Sequence, residues 1–285
     1  MHGAGLPWLC GGCVTTLFAE DMTAPEFAGF VDDGTVGILP VAAIEPHGPH
    51  LPLSTDCDIA RGHLAALARH VDAAHDVLIL PLHCVGHSVE HSGQPGLFTH
   101  EPELLLGIWW DMVAPFHRAG GRRLIIVSSH GGNSETVALF VTRLRVRLSM
   151  LAVTAGWQRF GQPDGLFSDA ELAHGIHGGA VETSLMLHYR PEAVRLERRA
   201  DFASAALEWE RGASVMAVHG RTRPGWLTID LNAAGALGDA RLASAEKGAA
   251  SAGHAVAGMA ALVADMAGFD LAKLNTATGR EGERP

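Results

Sequence analysis

A group of metal-ligand side chains follows directly after the first strongly apolar segment of the chain. Residues 36–43 read as a buried strand, and Glu45, His47 and Asp56 come next, in a loop held by prolines and a glycine. Imidazole and carboxylate together form the ligand set of Zn²⁺ or Mn²⁺. Two more clusters of this type follow at 129–133 and 174–182. Three such clusters indicate one binuclear hydrolytic site assembled from three loops.

The segments around these clusters alternate between strand and helix patterns. The predicted strands cover residues 36–43, 76–81, 123–128 and 151–155. The predicted helices cover residues 58–74, 102–118, 134–148, 181–189 and 240–266, and a helix start is predicted after Thr23 in an otherwise irregular lead-in, 1–35. This order predicts an α/β fold whose largely parallel sheet is covered on both faces. Because sites in such sheets form at the carboxyl ends of strands, Glu45, His47 and His130 are expected at one edge.

The size and apolar content favour a single domain over residues 1–285. Apolar residues make up 47 % of the 285-residue chain, which is enough for a deep core. The pattern has no internal repeat and no clear linker. The core is predicted to span about 36–266, and the polar tail, 275–285, is expected to fray.

Charge and the N-terminal pattern exclude several classes of partner. A net charge of −10, from 21 basic and 31 acidic residues, argues against nucleic acid or an anionic membrane. The first 19 residues lack the basic region of a signal peptide, and no apolar run approaches the length of a membrane helix. A soluble cytoplasmic protein is therefore predicted.

Cys10 and Cys13 have redox or half-zinc-finger spacing, but without a second pair we favour a structural or incidental role.

The ligand-type residues suit a pair of metal ions. Glu45 and His47 are two residues apart and can face one pocket, and Asp56 follows where the loop can turn back, as a candidate bridging ligand. His130 comes directly after a strand, and Glu182 opens a helix. Three carboxylates and two imidazoles suit two divalent ions that share a bridging water.

Such an ion pair lowers the pKa of its bound water and polarises a carbonyl group. Attack of a bridging hydroxide on an amide carbonyl then becomes feasible at pH 7, and the leaving nitrogen needs a proton. His177, five residues before Glu182, is the best donor, so His177 and Glu182 are the catalytic candidates. The candidate substrate-binding residues are His91, His174 and Gly132. His91 could equally be an ordinary polar residue of a solvated loop, and His174 could support the site without contact with the substrate.

Together these segments resemble the creatininase (creatinine amidohydrolase) family. The resemblance rests on Glu-Pro-His-Gly-Pro-His-Leu-Pro at 45–52, Asp56, Ser-His-Gly-Gly-Asn at 129–133 and Glu-Thr-Ser-Leu at 182–185. Looser similarity lies at Glu90-His91 and 235–239, and the whole covers about residues 36–250.

The resemblance implies a three-layer α/β/α fold, a binuclear centre holding Zn²⁺ or Mn²⁺, and a homohexamer. Mixed carboxylate and imidazole sites also accept Fe²⁺. The family's metal-ligand positions match these residues: Glu45, His47, Asp56 (bridging), His130 and Glu182. The family's catalytic histidine matches His177.

Two departures from the family pattern separate this chain from creatininase itself. Gly132 stands where creatininase has a glutamate that serves the metal site, and Ala173-His174 replaces a Trp-Asp pair that packs on the creatinine ring. The His-Gly-Gly-Asn variant resembles formamide hydrolases and the peptidase that trims the mycofactocin precursor. The leading prediction is an amidohydrolase acting on a non-peptide C–N bond of a small molecule. The alternatives are a metallopeptidase that trims a short peptide and an inactive metal-binding oligomer.

Overall fold

A computed structural model describes residues 16–220 and 222–275 of the chain. The interpretations of Cys10 and Cys13, and of the tail beyond residue 275, lie outside these residues. The strands are β1 (Thr16–Phe18), β2 (Val36–Val41), β3 (Val77–Ile79), β4 (Arg123–Ser128), β5 (Leu151–Gly156), β6 (Asp201–Phe202) and β7 (Gly238–Asp239). The helices are α1 (Ala24–Phe30), α2 (Thr55–Ala68), α3 (Pro102–Arg118), α4 (Ser134–Leu148), α5 (Asp169–His174), α6 (Ala180–Tyr189), α7 (Ala206–Glu210), α8 (Thr228–Leu231) and α9 (Ala245–Gly268).

The central sheet has five parallel strands in the order β1-β3-β2-β4-β5. Strands β2 and β4 are neighbours and run in step, with Val36 opposite Arg123 and Val41 opposite Ser128. The segments that leave these two strands therefore emerge side by side at the carboxyl edge, where ligand sites form in parallel sheets. The predicted parallel α/β sheet is confirmed.

Helices cover both faces of the sheet because successive strand residues point to opposite sides. On one face, Leu39 and Ile126 pack with Trp109 of α3 and Phe140 of α4. The other face packs Ile38 and its neighbours against side chains of α2 and α9, among them Leu64, Leu67, Val256 and Met259. This is the three-layer α/β/α arrangement that the resemblance implied.

Several segments differ from the predicted boundaries, and one of them carries a residue of the candidate site. Helix α2 begins at Thr55 rather than at residue 58, because Asp58 already donates its N–H to the Ser54 carbonyl at 2.8 Å. Asp56 therefore sits in a rigid first turn rather than in a loop. Part of the predicted irregular lead-in forms β1, a three-residue edge strand paired with β3, which is too short to show periodicity.

Helix α9 is the one helix, among the residues the structure describes, that is long and apolar enough to cross a membrane. Length and composition alone are weak evidence, because core helices share them. Val256, Met259 and Val263 are buried against the sheet, so α9 serves as a core helix here. It begins at Ala245, later than predicted, where the Ser244 hydroxyl accepts the Lys247 N–H at 3.2 Å.

The contact between α6 and α9 depends on the glycine at position 248. A Cβ at Gly248 would overlap the backbone oxygen of Ser184, whereas a Cβ at Gly253 of the same helix meets nothing within 4 Å. Gly248→Ala is expected to destabilise the protein by about 1–3 kcal/mol through overpacking. The control Gly253→Ala is expected to be neutral or stabilising by up to about 1 kcal/mol, because alanine is the better helix former. Urea unfolding of both variants measures the difference, and equal stability would contradict this packing.

Candidate metal centre

Five buried ligand-type side chains meet at the carboxyl edge of the sheet. Glu45 and His47 follow β2, Asp56 lies in the first turn of α2, His130 follows β4, and Glu182 lies in the first turn of α6. All five are at most 6 % exposed. Four different segments thus supply the residues that sequence analysis grouped together, and the fold brings them into one cluster.

One part of this cluster consists of Glu45, Asp56 and His130. The His130 Nδ1 atom lies 3.1 Å from Glu45 Oε2 and 3.4 Å from Asp56 Oδ2. One ligand atom from each of the three residues lies within 4.8 Å of the others, which is close enough to hold one metal ion.

The second part is built around His47 on the other side of Asp56. The His47 Nε2 atom lies 3.4 Å from Asp56 Oδ1 and 3.8 Å from Glu182 Oε2. Asp56 therefore directs one oxygen towards each imidazole, which is the arrangement that a bridging carboxylate requires. His47, Glu182 and His177 also form a group whose ligand atoms lie within 4.8 Å of one another.

Three atoms at the centre of the cluster have no hydrogen-bond partner among the described residues. They are Glu45 Oε1, His47 Nε2 and Asp56 Oδ2, and all three are buried. A buried polar atom without a partner costs about 1–3 kcal/mol, so such atoms need an explanation. Bound divalent cations would satisfy all of them, and the donor set of carboxylate oxygens and imidazole nitrogens suits Zn²⁺ or Mn²⁺.

The electrostatics of the cluster also favour cations. Burial by itself lowers the pKa of His47, but the carboxylates of Asp56, Glu182 and Glu45 outweigh it and raise that pKa to about 9. Burial raises the pKa of Asp56, and the nearby charge of Glu45 raises it further. Protons on His47 and Asp56 balance the negative charge of the other carboxylates in the cluster. Divalent ions would replace these protons.

His177 lies beside the cluster with a defined tautomer. Its Nε2 atom is 2.8 Å from the Pro46 carbonyl, which can only accept, so Nε2 carries the hydrogen. Its Nδ1 atom is therefore unprotonated and faces Glu45 Oε1 at 3.7 Å. Burial, and then the charges of His47 and His91, lower the pKa of His177 well below its usual value. The imidazole is thus neutral, with a free lone pair directed into the site.

The candidate substrate-binding residues occupy different places. The His91 Nε2 atom lies 3.3 Å from Glu45 Oε1, so His91 has the geometry of a further ligand as well as lining the cavity. Gly132 also lines the cavity. His174 ends α5, half-buried, and is not among the described residues that line the cavity. Substrate contact by these three residues stays a prediction.

Sequence reasoning did not identify several side chains as hydrogen-bond partners of the ligand-type residues. The Ser88 hydroxyl donates to Glu45 Oε2, and Glu90 Oε1 lies 3.2 Å from His130 Nε2. Gln158 Nε2 donates to Glu182 Oε1 at 3.3 Å. These pairs are 24 or more residues apart in sequence and follow no spacing rule, so only the folded structure identifies them.

Glu171 organises the segment that carries His177. Its carboxylate accepts hydrogen bonds from the backbone N–H groups of Ala180 and Asp239. Gly175 and Gly179 pack so closely against this carboxylate that a Cβ at either position would overlap it. The buried Glu171 therefore ties α5, the start of α6 and β7 around the loop of His177.

Removal of the Glu171 carboxylate is expected to destabilise the protein. Glu171→Ala leaves two backbone donors unpaired, at about 1–3 kcal/mol each. Thermal unfolding should show a clear drop in melting temperature, whereas the exposed Glu103→Ala control should unfold like the wild type. A Glu171→Ala variant that melts with the control would contradict this role.

The cluster opens into a cavity of about 810 Å³. Glu45, Asp56, His177 and Glu182 lie along it, together with polar side chains from distant segments, such as Arg159 and Arg223. A substrate therefore has direct access to the atoms of the candidate metal centre.

Comparison with known proteins identifies the family. The family model for creatininase, described as creatinine amidohydrolase, matches residues 20–263. The creatinine amidohydrolase of Pseudomonas putida is 29 % identical over 250 residues, which cover 82 % of this chain and 90 % of that enzyme. A creatininase structure described as the manganese form superposes with a TM-score of 0.71 at 24 % identity, covering 89 % of this chain and 100 % of the other.

Relatives of a second kind are peptidases. The mycofactocin precursor peptide peptidase of Mycolicibacterium smegmatis (strain ATCC 700084 / mc(2)155) is 34 % identical over 165 residues, which cover 55 % of this chain. The matched region spans only 59 % of that peptidase's own length. The family model nevertheless covers most of this chain, from residue 20 to residue 263. The protein therefore belongs to the creatininase family.

Proposed function

We propose that the protein is a metal-dependent amidohydrolase that cleaves an amide C–N bond. The convergence of Glu45 Oε1, His47 Nε2 and Asp56 Oδ2, which are buried and make no hydrogen bond among the described residues, carries this proposal. Family membership supports hydrolysis, and the open cavity gives a substrate access to these atoms.

The residues divide naturally between two divalent ions, Zn²⁺ or Mn²⁺, with Fe²⁺ also compatible. Glu45, Asp56 and His130 would hold one ion, and His47, Asp56 and Glu182 the other. When bound, such ions polarise a carbonyl group and bring the pKa of water towards neutrality. Related creatininase structures are described as manganese and zinc-zinc forms, which supports this choice of metals.

His177 is the proton carrier in this proposal. Its neutral Nδ1 can take a proton from the attacking water and pass it to the leaving nitrogen. The Pro46 carbonyl keeps the ring oriented through Nε2. Glu182 links metal binding to proton transfer. Its Oε2 atom accepts the N–H of Gly178 at 2.6 Å, and Gly178 is the residue that follows His177.

The substrate is proposed to be a small molecule with an amide bond, such as a cyclic amide or a formamide. A short peptide is the second candidate, because the identity to the peptidases is higher than to creatinine amidohydrolase and the cavity is large. At about 810 Å³ it lies in the upper part of the ~300–1,000 Å³ range of ligand pockets.

Turnover with defined metals tests this function. Protein freed of metal and reloaded with Zn²⁺ or Mn²⁺ is assayed on creatinine, formamides, lactams and short peptides. We expect metal-dependent hydrolysis in one class, and its loss in Glu182→Gln. Metal-loaded protein without activity on any class would favour the inactive metal-binding oligomer.

Assembly and location stay predictions from the sequence. A homohexamer is the assembly that the resemblance implies, and a stable 30.0 kDa monomer in sedimentation would contradict it. The cytoplasmic location likewise stays a prediction.

A further inference from the structure

The two ring nitrogens of His130 face different surroundings. Nδ1 points to Glu45 and Asp56, at 3.1 and 3.4 Å. Nε2 lies 2.9 Å from the His87 carbonyl and 3.2 Å from Glu90 Oε1, and both of these oxygens accept. The hydrogen of a neutral ring therefore sits on Nε2, and the lone pair on Nδ1 is left for a metal ion.

Glu90 reaches Nε2 through space that only a glycine at position 132 leaves open. A Cβ at Gly132 would overlap Glu90 Oε1 and would lie 2.6 Å from the His87 carbonyl. The turn after β4 has no side chain at residue 132, and the carboxylate beside His130 Nε2 comes from the segment after β3.

The backbone of Glu90 is fixed by contacts on both sides. Glu90 lies in the short helical turn Val89–His91, and its carbonyl accepts the Thr228 hydroxyl at 3.2 Å. The same hydroxyl lies 3.0 Å from His91 Nδ1. The His87 N–H donates to Asn133 Oδ1 at 2.9 Å, which ties this segment to the turn after β4. The side chain of Glu90 is 19 % exposed, so water competes little for its carboxylate.

We propose that Glu90 is a positioning residue for His130 at the candidate metal centre. The inference rests on the proposed metal centre. A carboxylate on the outer nitrogen of a ligating histidine fixes its tautomer and raises its basicity, and loss of such a partner typically costs about 10–100-fold in metal affinity. Glu90 thereby strengthens the metal site from outside it, without contact with the ions.

Zinc affinity without any substrate tests this inference. Wild type, Glu90→Ala and Glu90→Gln are freed of metal and titrated with Zn²⁺ in competition with a chromophoric chelator. Glu90→Ala is expected to weaken binding at one of the two sites by about 10–100-fold. The Zn²⁺ affinity of Glu90→Gln should lie between those of wild type and Glu90→Ala. Its amide oxygen can still accept a hydrogen bond from His130 Nε2, but it carries no charge.

The matched control is Glu103→Gln, which removes one carboxylate from the exposed first turn of α3 and should bind Zn²⁺ as the wild type does. Glu90→Ala with wild-type affinity at both sites would overturn the inference. If circular dichroism shows that Glu90→Ala does not fold, Glu90→Gln takes its place, and wild-type Zn²⁺ affinity in Glu90→Gln would overturn the inference. A wild type that binds no Zn²⁺ would instead overturn the proposed metal centre itself.

Discussion

Replacement of Asp56 by alanine is expected to remove bound metal and to abolish turnover. Asp56 places one carboxylate oxygen 3.4 Å from His47 Nε2 and the other 3.4 Å from His130 Nδ1. Without it each candidate site loses an anionic ligand. Metal content should fall from about two ions per chain to one or none. Bound metal ions lower the activation free energy of hydrolysis by several kcal/mol. Their loss should therefore lower kcat at least about a thousandfold.

Elemental analysis and steady-state kinetics measure both effects on the same preparations. Asp33→Ala, in an exposed position remote from the site, is the matched control and should keep both metal and activity. Full metal content in Asp56→Ala would show that this carboxylate is not a bridging ligand.

Replacement of His177 by asparagine is expected to lower kcat by about 10²–10⁴-fold, the usual contribution of a general acid or base. The metal content should stay as in the wild type, because the five other residues supply the ligands. Asparagine is smaller and cannot carry a proton at the position of Nδ1. The comparison of kcat with metal content therefore separates proton transfer from metal binding.

The outcome of this substitution distinguishes two roles for His177. The structure also groups its ring with Glu45 and His91, and with His47 and Glu182, at distances that suit a ligand. Loss of metal in His177→Asn would assign it to the metal centre and contradict its role as a free proton carrier. The exposed His70→Asn serves as the control and should change neither quantity.

The fold was predictable from the sequence where periodicity is long and strong. The central strands β2 and β4 and helices α3 and α4 lie within the predicted ranges, because each has enough apolar residues to define its repeat. The start of α2 was not predictable, since the helical spacing of apolar residues begins only at residue 58, whereas the Asp58 N–H already bonds to the Ser54 carbonyl within the helix. The short strands β1, β6 and β7 gain their partners only in the tertiary structure.

The sequence predicted which ligand-type side chains cluster at the candidate site, but not which other side chains support them. Glu45, His47 and His130 follow strands of a parallel sheet, so topology alone places them at one edge. Glu90 and Glu171 instead act through partners that lie 40 and 9 or more residues away in the chain. Such contacts depend on how loops cross above the sheet, and no spacing rule in a single sequence encodes them.

The most direct measurement is anomalous diffraction at the zinc and manganese absorption edges, from crystals of the protein loaded with each metal. Two anomalous peaks on either side of Asp56, one beside Glu45 and His130 and the other beside His47 and Glu182, are the expected result. A single peak, or peaks only at other histidines, would contradict a binuclear centre and with it the proposed hydrolase.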